Sequence, residues 1–211
     1  VHDLIPFKFP HTSHSIIRNA HKKRLSWVKK ESRAIIAVSQ STKNDLISIL
    51  KIPEEKITVI QEAAEKKYHP QPPAMVSNIK RKYKISSEYI FSLSTLEPRK
   101  NQAGLIKAFQ LVKKTYPDLK LIIGGRSGWG EELKPQEDVI FPGFIPDIDL
   151  PALYTGCLVY ALPSFYEGFS LSQLQAMACG ASVVASNISS MPEVVGKAGV
   201  LVDPKSIESI A

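Results

Sequence analysis

The chain has 211 residues, 44% of them hydrophobic and 22% charged, the balance of an ordinary soluble globular protein made of one large domain or parts of two. No apolar run approaches the roughly 20 residues of a membrane span and no signal-peptide pattern is present; the two cysteines, Cys157 and Cys179, supply no disulfide framework, so a reducing, cytoplasmic setting is expected. The net charge of +7 gathers early, in His21-Lys-Lys-Arg24 and Lys29-Lys30, as a face that suits anionic lipid, an anionic ligand, nucleic acid or simply solvent.

In chain order, residues 1–5 read as the end of a strand running into a loop. His11 and His14 stand three apart in a Pro-flanked loop, with no further ligand nearby to complete a zinc set. A basic helix is predicted over 15–30, a strand over 34–39, a helix over 42–50 and a strand over 57–60. Two strands cannot make a stable α/β sheet by themselves, so residues 1–72 are expected to be the tail of a preceding domain. The stretch 68–77, with Pro70, Pro72 and Pro73, is the natural linker.

From residue 89 the pattern changes. Apolar runs at 89–94, 119–125, 138–143, 157–164, 181–186 and 198–202 alternate with helical patterns at 102–115, 149–154 and 171–178. Nearly continuous apolar strands separated by helices predict a parallel sheet covered on both faces. That is a doubly wound α/β domain, which binds ligands at the carboxyl ends of its strands. Near the end, Asp203-Pro204 predicts a helix start with proline at the first helical position, and that helix stops after barely a turn. Both ends look cut through structural units, so the chain is expected to be a piece of something longer.

Two segments carry candidate chemistry. In Ser92-Leu-Ser-Thr-Leu-Glu-Pro-Arg-Lys-Asn101 a strand ends, Pro98 stops it, and Asn101 is expected to cap the following helix. Arg99 and Lys100 then oppose the helix dipole by about 0.3–1 kcal/mol each unless an anion intervenes. A diphosphate would resolve that conflict; the alternative is two exposed surface charges. In Pro163-Ser-Phe-Tyr-Glu-Gly-Phe-Ser-Leu171 a strand ends, a loop carries Glu167-Gly168, and a helix of small residues follows. Gly168 permits a close backbone turn. The free amides of Phe169, Ser170 and Leu171 would point out of the sheet edge toward a phosphate, with the Glu167 carboxylate beside them to accept from sugar hydroxyls; the alternative is that Glu167 merely caps the helix.

Other patterns are weaker. Asp147-Ile-Asp149 has the spacing of a metal pair but follows Pro146, where Asp serves as a helix cap. Gly124-Gly-Arg-Ser-Gly-Trp-Gly130 lacks dinucleotide spacing and the phosphate-binding lysine, and is expected to form a turn. A nicotinamide-dependent oxidoreductase would need the missing glycine fingerprint.

The run Pro163-Ser-Phe-Tyr-Glu-Gly-Phe-Ser-Leu171 through Leu174-Gln-Ala-Met-Ala-Cys-Gly180 resembles the signature of family-4 glycosyltransferases, P-S-x-x-E-G-F-G-L followed by L-E-A-M-A-x-G-x-P-V. So do Val1-His-Asp-Leu-Ile-Pro6, Ala37-Val-Ser-Gln-Ser-Thr-Lys-Asn-Asp-Leu46, Thr95-Leu-Glu-Pro-Arg-Lys-Asn101, Phe141-Pro-Gly-Phe144, Leu150-Pro-Ala-Leu-Tyr154 and Ser189-Ser-Met-Pro-Glu-Val194. Together they follow the family's order along nearly the whole chain.

The resemblance implies a GT-B fold: a doubly wound, Rossmann-like C-terminal domain over 73–211, truncated at its C-terminus and binding the donor. Residues 1–72 would be the last part of an acceptor-side N-terminal domain. It implies retaining transfer of a hexose, mannose or glucose, from a nucleoside diphosphate sugar to a glycan or lipid-linked acceptor without a metal. The piece alone would be inactive. Arg99 and Lys100 would hold the diphosphate, Glu167 the transferred sugar, and the backbone of Gly168, Phe169, Ser170 and Leu171 the phosphates. Gly143–Phe144 would lie near the base, and His2 would face the sugar from the opposite domain. Gln175 replaces the family's second glutamate, the ribose acceptor, at a cost of order 1 kcal/mol in donor binding. Ser170 and Ser172 replace the usual Gly and Pro, and Lys197 replaces an Asp. These departures keep open a truncated or degenerate nucleotide-sugar-binding protein without transfer activity. The expected surroundings are cytoplasmic, with peripheral contact to anionic membrane at its inner face and no nucleic-acid partner.

Overall fold

The computed structural model describes residues 1–10, 15–129, 133 and 136–211; His11, His14 and Gly130 lie outside them. Two parallel sheets organise the chain. In the first, β1 (Ile35–Ala37) pairs with β2 (Ile57–Val59), Ile35 opposite Ile57. Around it lie α1 (Ile5–Lys8), α2 (Ser15–Glu31) and α3 (Gln40–Leu50). Val1 lies along β1, its amino group donating to the Ile36 carbonyl at 2.6 Å and its carbonyl accepting from Val38 at 3.4 Å. These contacts agree with the strand-end reading of the first residues, although a short helix follows from Ile5. Leu4, Leu25, Ile35, Ala37, Leu46, Ile52 and Ile57 form the core of this lobe.

Residues from Pro73 onward build the larger lobe: α4 (Pro73–Lys82), β3 (Tyr89–Leu93), α5 (Gln102–Val112), β4 (Lys120–Gly124), β5 (Val139–Gly143), α6 (Leu150–Gly156), β6 (Val159–Leu162), α7 (Leu171–Ala178), β7 (Ser182–Ser186), α8 (Met191–Val195), β8 (Val200–Val202) and α9 (Ile207–Ile210). The six strands are parallel in the order β5-β4-β3-β6-β7-β8. Successive strand residues face opposite sides of a sheet, and the cores divide accordingly. Phe91, Ile122, Leu162 and Val183 enter the core that includes residues of α4, α6, α7 and α8. Leu121, Ile123 and Ala161 enter the one that includes α5 and α9.

The linker expectation needs correction. Residues 68–77 are not a free connection: α4 begins at Pro73, and Tyr68 is buried in the larger core with its ring 6.2 Å from that of Tyr154. Proline costs nothing at the first turn of a helix, where its missing N–H has no intrahelical acceptor, and α4 packs on α6. Three expected caps also differ. Asn101 precedes α5 in the left-handed conformation (φ 59°), and its side-chain amide donates to the carbonyls of Pro163 and Pro204 instead. Asp149 precedes α6 with its carboxylate engaged by Lys82 at 2.5 Å and Tyr83 at 2.6 Å. Ser206, rather than the Asp203-Pro204 pair, caps α9 by accepting from Ser209. The turn expected over Gly124–Gly130 is not seen among its described residues: Gly124 ends β4, and Ser127 bridges to Leu96 in parallel, the Arg126 carbonyl accepting from the Leu96 amide. Both cysteines are free and buried, and burial pushes the Cys157 thiol up to about 12.

Edge-on contacts of Tyr154 with Phe91 (5.4 Å) and Tyr160 (5.2 Å) centre the larger core. The Tyr154 hydroxyl is buried without a partner among the described residues. Tyr154→Phe should therefore be neutral or stabilising by up to about 1 kcal/mol, because an unmade buried hydrogen bond is removed. Tyr154→Ala should cost about 3–5 kcal/mol. Urea unfolding of both variants checks this pair of outcomes.

Candidate active site

The first three strands of the larger sheet run outward as β3, β4, β5; the chain then returns to the other side of β3 with β6. Strand order therefore reverses between β3 and β6, and the crevice outside their carboxyl ends is where open α/β sheets receive ligands. The loops leaving these two strands carry Arg99, Lys100 and Glu167.

These side chains meet. Lys100 Nζ donates to both Glu167 carboxylate oxygens, at 2.7 and 2.9 Å. Arg99 donates to Glu167 Oε2 at 3.2 Å and to the Tyr166 carbonyl at 2.5 Å, and its other terminal nitrogen is paired with Glu97. The Arg99 carbonyl accepts from Phe165 at 2.8 Å, so backbone as well as side chains tie the two loops together. Glu97, Arg99 and Glu167 are buried, and the Lys100 side chain is 16% exposed. The cluster contains two cations and two carboxylates. The conflict between Arg99, Lys100 and the adjacent helix N-terminus is thus offset by protein carboxylates, so it does not by itself call for a diphosphate. Burial opposes ionisation of Glu167, but Lys100 and Arg99 outweigh it and hold its carboxyl below the ordinary range.

The next turn is shaped by close approach. A Cβ on Gly168 would lie 2.0 Å from the His2 carbonyl oxygen and 2.7 Å from Asp3 Cβ, so only glycine fits. The Gly168 carbonyl accepts from Ser39 Oγ at 2.6 Å and Thr42 Oγ1 at 3.2 Å, both side chains of the smaller lobe and both fully buried. Beyond it, the amides of Phe169, Ser170 and Leu171 make no hydrogen bond to the described residues, and the buried Ser170 hydroxyl has no partner among them. This is a set of bare donors at the start of α7, as expected. Gln175 is half-buried one turn into that helix and makes no side-chain hydrogen bond among the described residues.

His2 touches the Gly168 turn through its backbone, while its ring stands 3.1 Å from Glu62 and is largely exposed. Gly143 ends β5 at φ 74°, and Phe144 is exposed with the Arg126 guanidinium 4.6 Å over its ring. Asp147 and Asp149 are engaged by lysines, and no cluster of metal-ligating side chains occurs among the described residues. An apolar cavity of about 690 Å³ opens at the amino ends of β3, β4 and β6, lined by Leu105, Phe109, Val112 and Leu158 among others. It lies at the edge opposite the charged loops and contains none of them.

Several contributors escaped the sequence reading. Glu97 had a local signal, a carboxylate two residues before Arg99. Tyr166 donates to Asp45 at 2.6 Å; Asp45 also binds Lys8 at 2.8 Å. Burial and then that bond to Asp45 push the Tyr166 phenol above its usual range. Glu193 of α8 accepts from the Gln40 and Ser41 amides at the start of α3, at 2.7 and 2.8 Å, a carboxylate on the positive end of a helix. Partners more than 100 positions apart leave no local pattern to read.

Replacing Glu167 by Gln leaves Lys100 without its carboxylate and should cost about 3 kcal/mol near neutral pH. The sign with pH follows from the depressed carboxyl. Its stabilisation is complete above the unfolded value of about 4.5 and is lost as pH falls through the lower folded value. Thermal unfolding should therefore show the gap between the native chain and Glu167→Gln closing on acidification.

The family model described as glycosyl transferases group 1 matches residues 76–211, and that described as glycosyltransferase family 4 matches residues 1–64. The chain is 37% identical over 193 residues to O-antigen chain mannosyltransferase B of Escherichia coli, an alignment covering 85% of this chain and 50% of that protein. It is 32% identical over 227 aligned positions to the serotype-specific mannosyltransferase WbdA of Escherichia coli, covering 99% of this chain and 27% of that one. Among solved structures, Anabaena Alr3699/HepE in complex with UDP and glucose superposes with a TM-score of 0.81 at 23% identity, over all of this chain and 58% of that one. The chain spans about half the length, or less, of these curated relatives.

Proposed function

The chain belongs to the glycosyl transferases group 1 family and has a GT-B fold, and from that premise we propose that its parent protein transfers mannose from a nucleoside diphosphate sugar to a glycan or lipid-linked acceptor with retained anomeric configuration. Residues 73–211 take the donor, and residues 1–72 close the acceptor side of the cleft. The observation that carries this reading is the meeting of Lys100, Arg99 and Glu167 beside the bare amides of Phe169, Ser170 and Leu171 at the sheet's switch point. The names of the two Escherichia coli relatives support mannose.

The geometry divides the roles. Arg99, buried and held by Glu97, the Tyr166 carbonyl and Glu167, keeps the Glu167 carboxylate charged and aimed. Lys100 is the cation that reaches solvent, and it turns from Glu167 to the diphosphate when donor arrives. The free amides at the start of α7 take further phosphate oxygens. Glu167, still balanced by Arg99, is released to accept hydrogen bonds from the sugar hydroxyls. As the sugar leaves, charge grows on the diphosphate, and the Lys100 ammonium, now seated on it, stabilises it with the oriented amides, so no metal ion is required. Gln175 offers its amide carbonyl to the ribose.

Lys100→Ala should weaken binding of UDP or GDP about tenfold or more, the worth of a charged hydrogen bond, and leave uridine or guanosine nearly unaffected. Calorimetry on the 211-residue chain measures both; equal losses for nucleoside and nucleoside diphosphate would overturn the assignment. Gln175→Glu should tighten the same nucleotides severalfold, and no change would mean that this side chain does not face the ribose.

A further inference from the structure

The segment Ser189-Ser-Met-Pro-Glu-Val194 leads into α8 and has no part in the proposed donor contacts. Its two serines nevertheless turn toward Glu167. Ser190 stands just before the helix, where a serine side chain ordinarily accepts from a helix amide, yet it makes no capping bond. Its buried hydroxyl donates instead to the Glu167 carbonyl at 3.0 Å. The Ser189 hydroxyl donates to the same carbonyl at 2.5 Å and accepts from the Glu167 amide at 3.2 Å. One side chain thus holds both backbone groups of one residue, as a neighbouring strand would.

Ser189 reaches this place in the left-handed backbone region, at φ 60°. A residue with a Cβ is disfavoured there and glycine is not, so backbone shape alone would select glycine. The serine keeps a hydroxyl in spite of that conformation. Residues held in such regions gather at sites where the surroundings fix one arrangement. The far end of the segment is fastened as well, because Glu193 accepts from the Gln40 and Ser41 amides at 2.7 and 2.8 Å.

Glu167 needs such a hold. It precedes Gly168, and glycine has the most permissive backbone of any residue. Its carboxylate is tied to Lys100 and Arg99, and in the proposed reaction Lys100 leaves it for the diphosphate. A displacement of about 1 Å is then enough to lose a productive geometry. We propose that Ser189, supported by Ser190, is a positioning residue: it fixes the Glu167 backbone so that the carboxylate stays aimed at the sugar hydroxyls after Lys100 has turned away. This rests on the assignment of Glu167 to the transferred sugar, and the test separates the two.

Ser189→Gly is the telling variant, because it suits the backbone and removes only the side chain. Its melting temperature should equal or exceed that of the native chain. Exchange of the Glu167 amide, followed by NMR without ligand, should quicken about tenfold. In calorimetry GDP-mannose or UDP-glucose should bind about tenfold more weakly, the worth of a hydrogen bond to a charged group, while GDP or UDP changes by less than about twofold. Ser190→Ala should give a smaller loss of the same kind, about threefold. In a Glu167→Ala background, which has no acceptor to position, Ser189→Gly should have no further effect on the nucleotide sugar.

A Ser189→Gly chain that keeps the native preference for nucleotide sugar over bare nucleotide would overturn the proposal. Equal losses for both ligands would also overturn it, and would assign the segment to the phosphate-binding turn. So would unchanged exchange at the Glu167 amide. If the native chain itself binds nucleotide sugars no more tightly than bare nucleotides, the assignment of Glu167 to the sugar falls, and this proposal with it.

Discussion

A carboxylate buried between two cations organises this molecule. Glu167 sits at the carboxyl end of β6, Arg99 and Lys100 at that of β3, and their pairing fastens the two loops that face the crevice. Such a cluster is unforgiving, since removal of one member leaves an uncompensated charge in a poorly solvated place. It is also well suited to binding. One cation, Arg99, is locked by Glu97 and backbone, while the other, Lys100, retains some access to solvent. An incoming anion can take the second without disturbing the first.

The same turn joins the lobes. The Gly168 carbonyl is gripped by Ser39 and Thr42, the Tyr166 phenol by Asp45, and Glu193 rests on the first amides of α3. The β6–α7 loop and helix α8 of the larger lobe therefore converge on residues 39–45 of the smaller one. Any motion that separates the sheets must pull on the backbone one residue from Glu167. The position of the smaller lobe is thus tied to the Glu167 loop through hydrogen bonds of ordinary length.

What the sequence determined by itself follows from local order. The six-strand alternation, the helices between strands and the nucleating motifs at 95–101 and 163–171 are written in periodicity and in contiguous residues, because strand and helix formation depend on near neighbours. The presence of Arg99, Lys100, Glu167 and Gly168 at loop ends was legible for the same reason. Only tertiary structure decided how they are used. That Arg99 and Lys100 are already paired with carboxylates depends on β3 and β6 lying side by side, although about 70 positions separate their loops. That Gly168 must be glycine depends on the backbone of His2, and that 73–82 is a helix in place of a linker depends on the face α6 offers it. Three prolines announce a break, but burial of Tyr68 and Ile79 decides where the break ends. Side chains meet through space, and a sequence records space only where the chain has not yet turned.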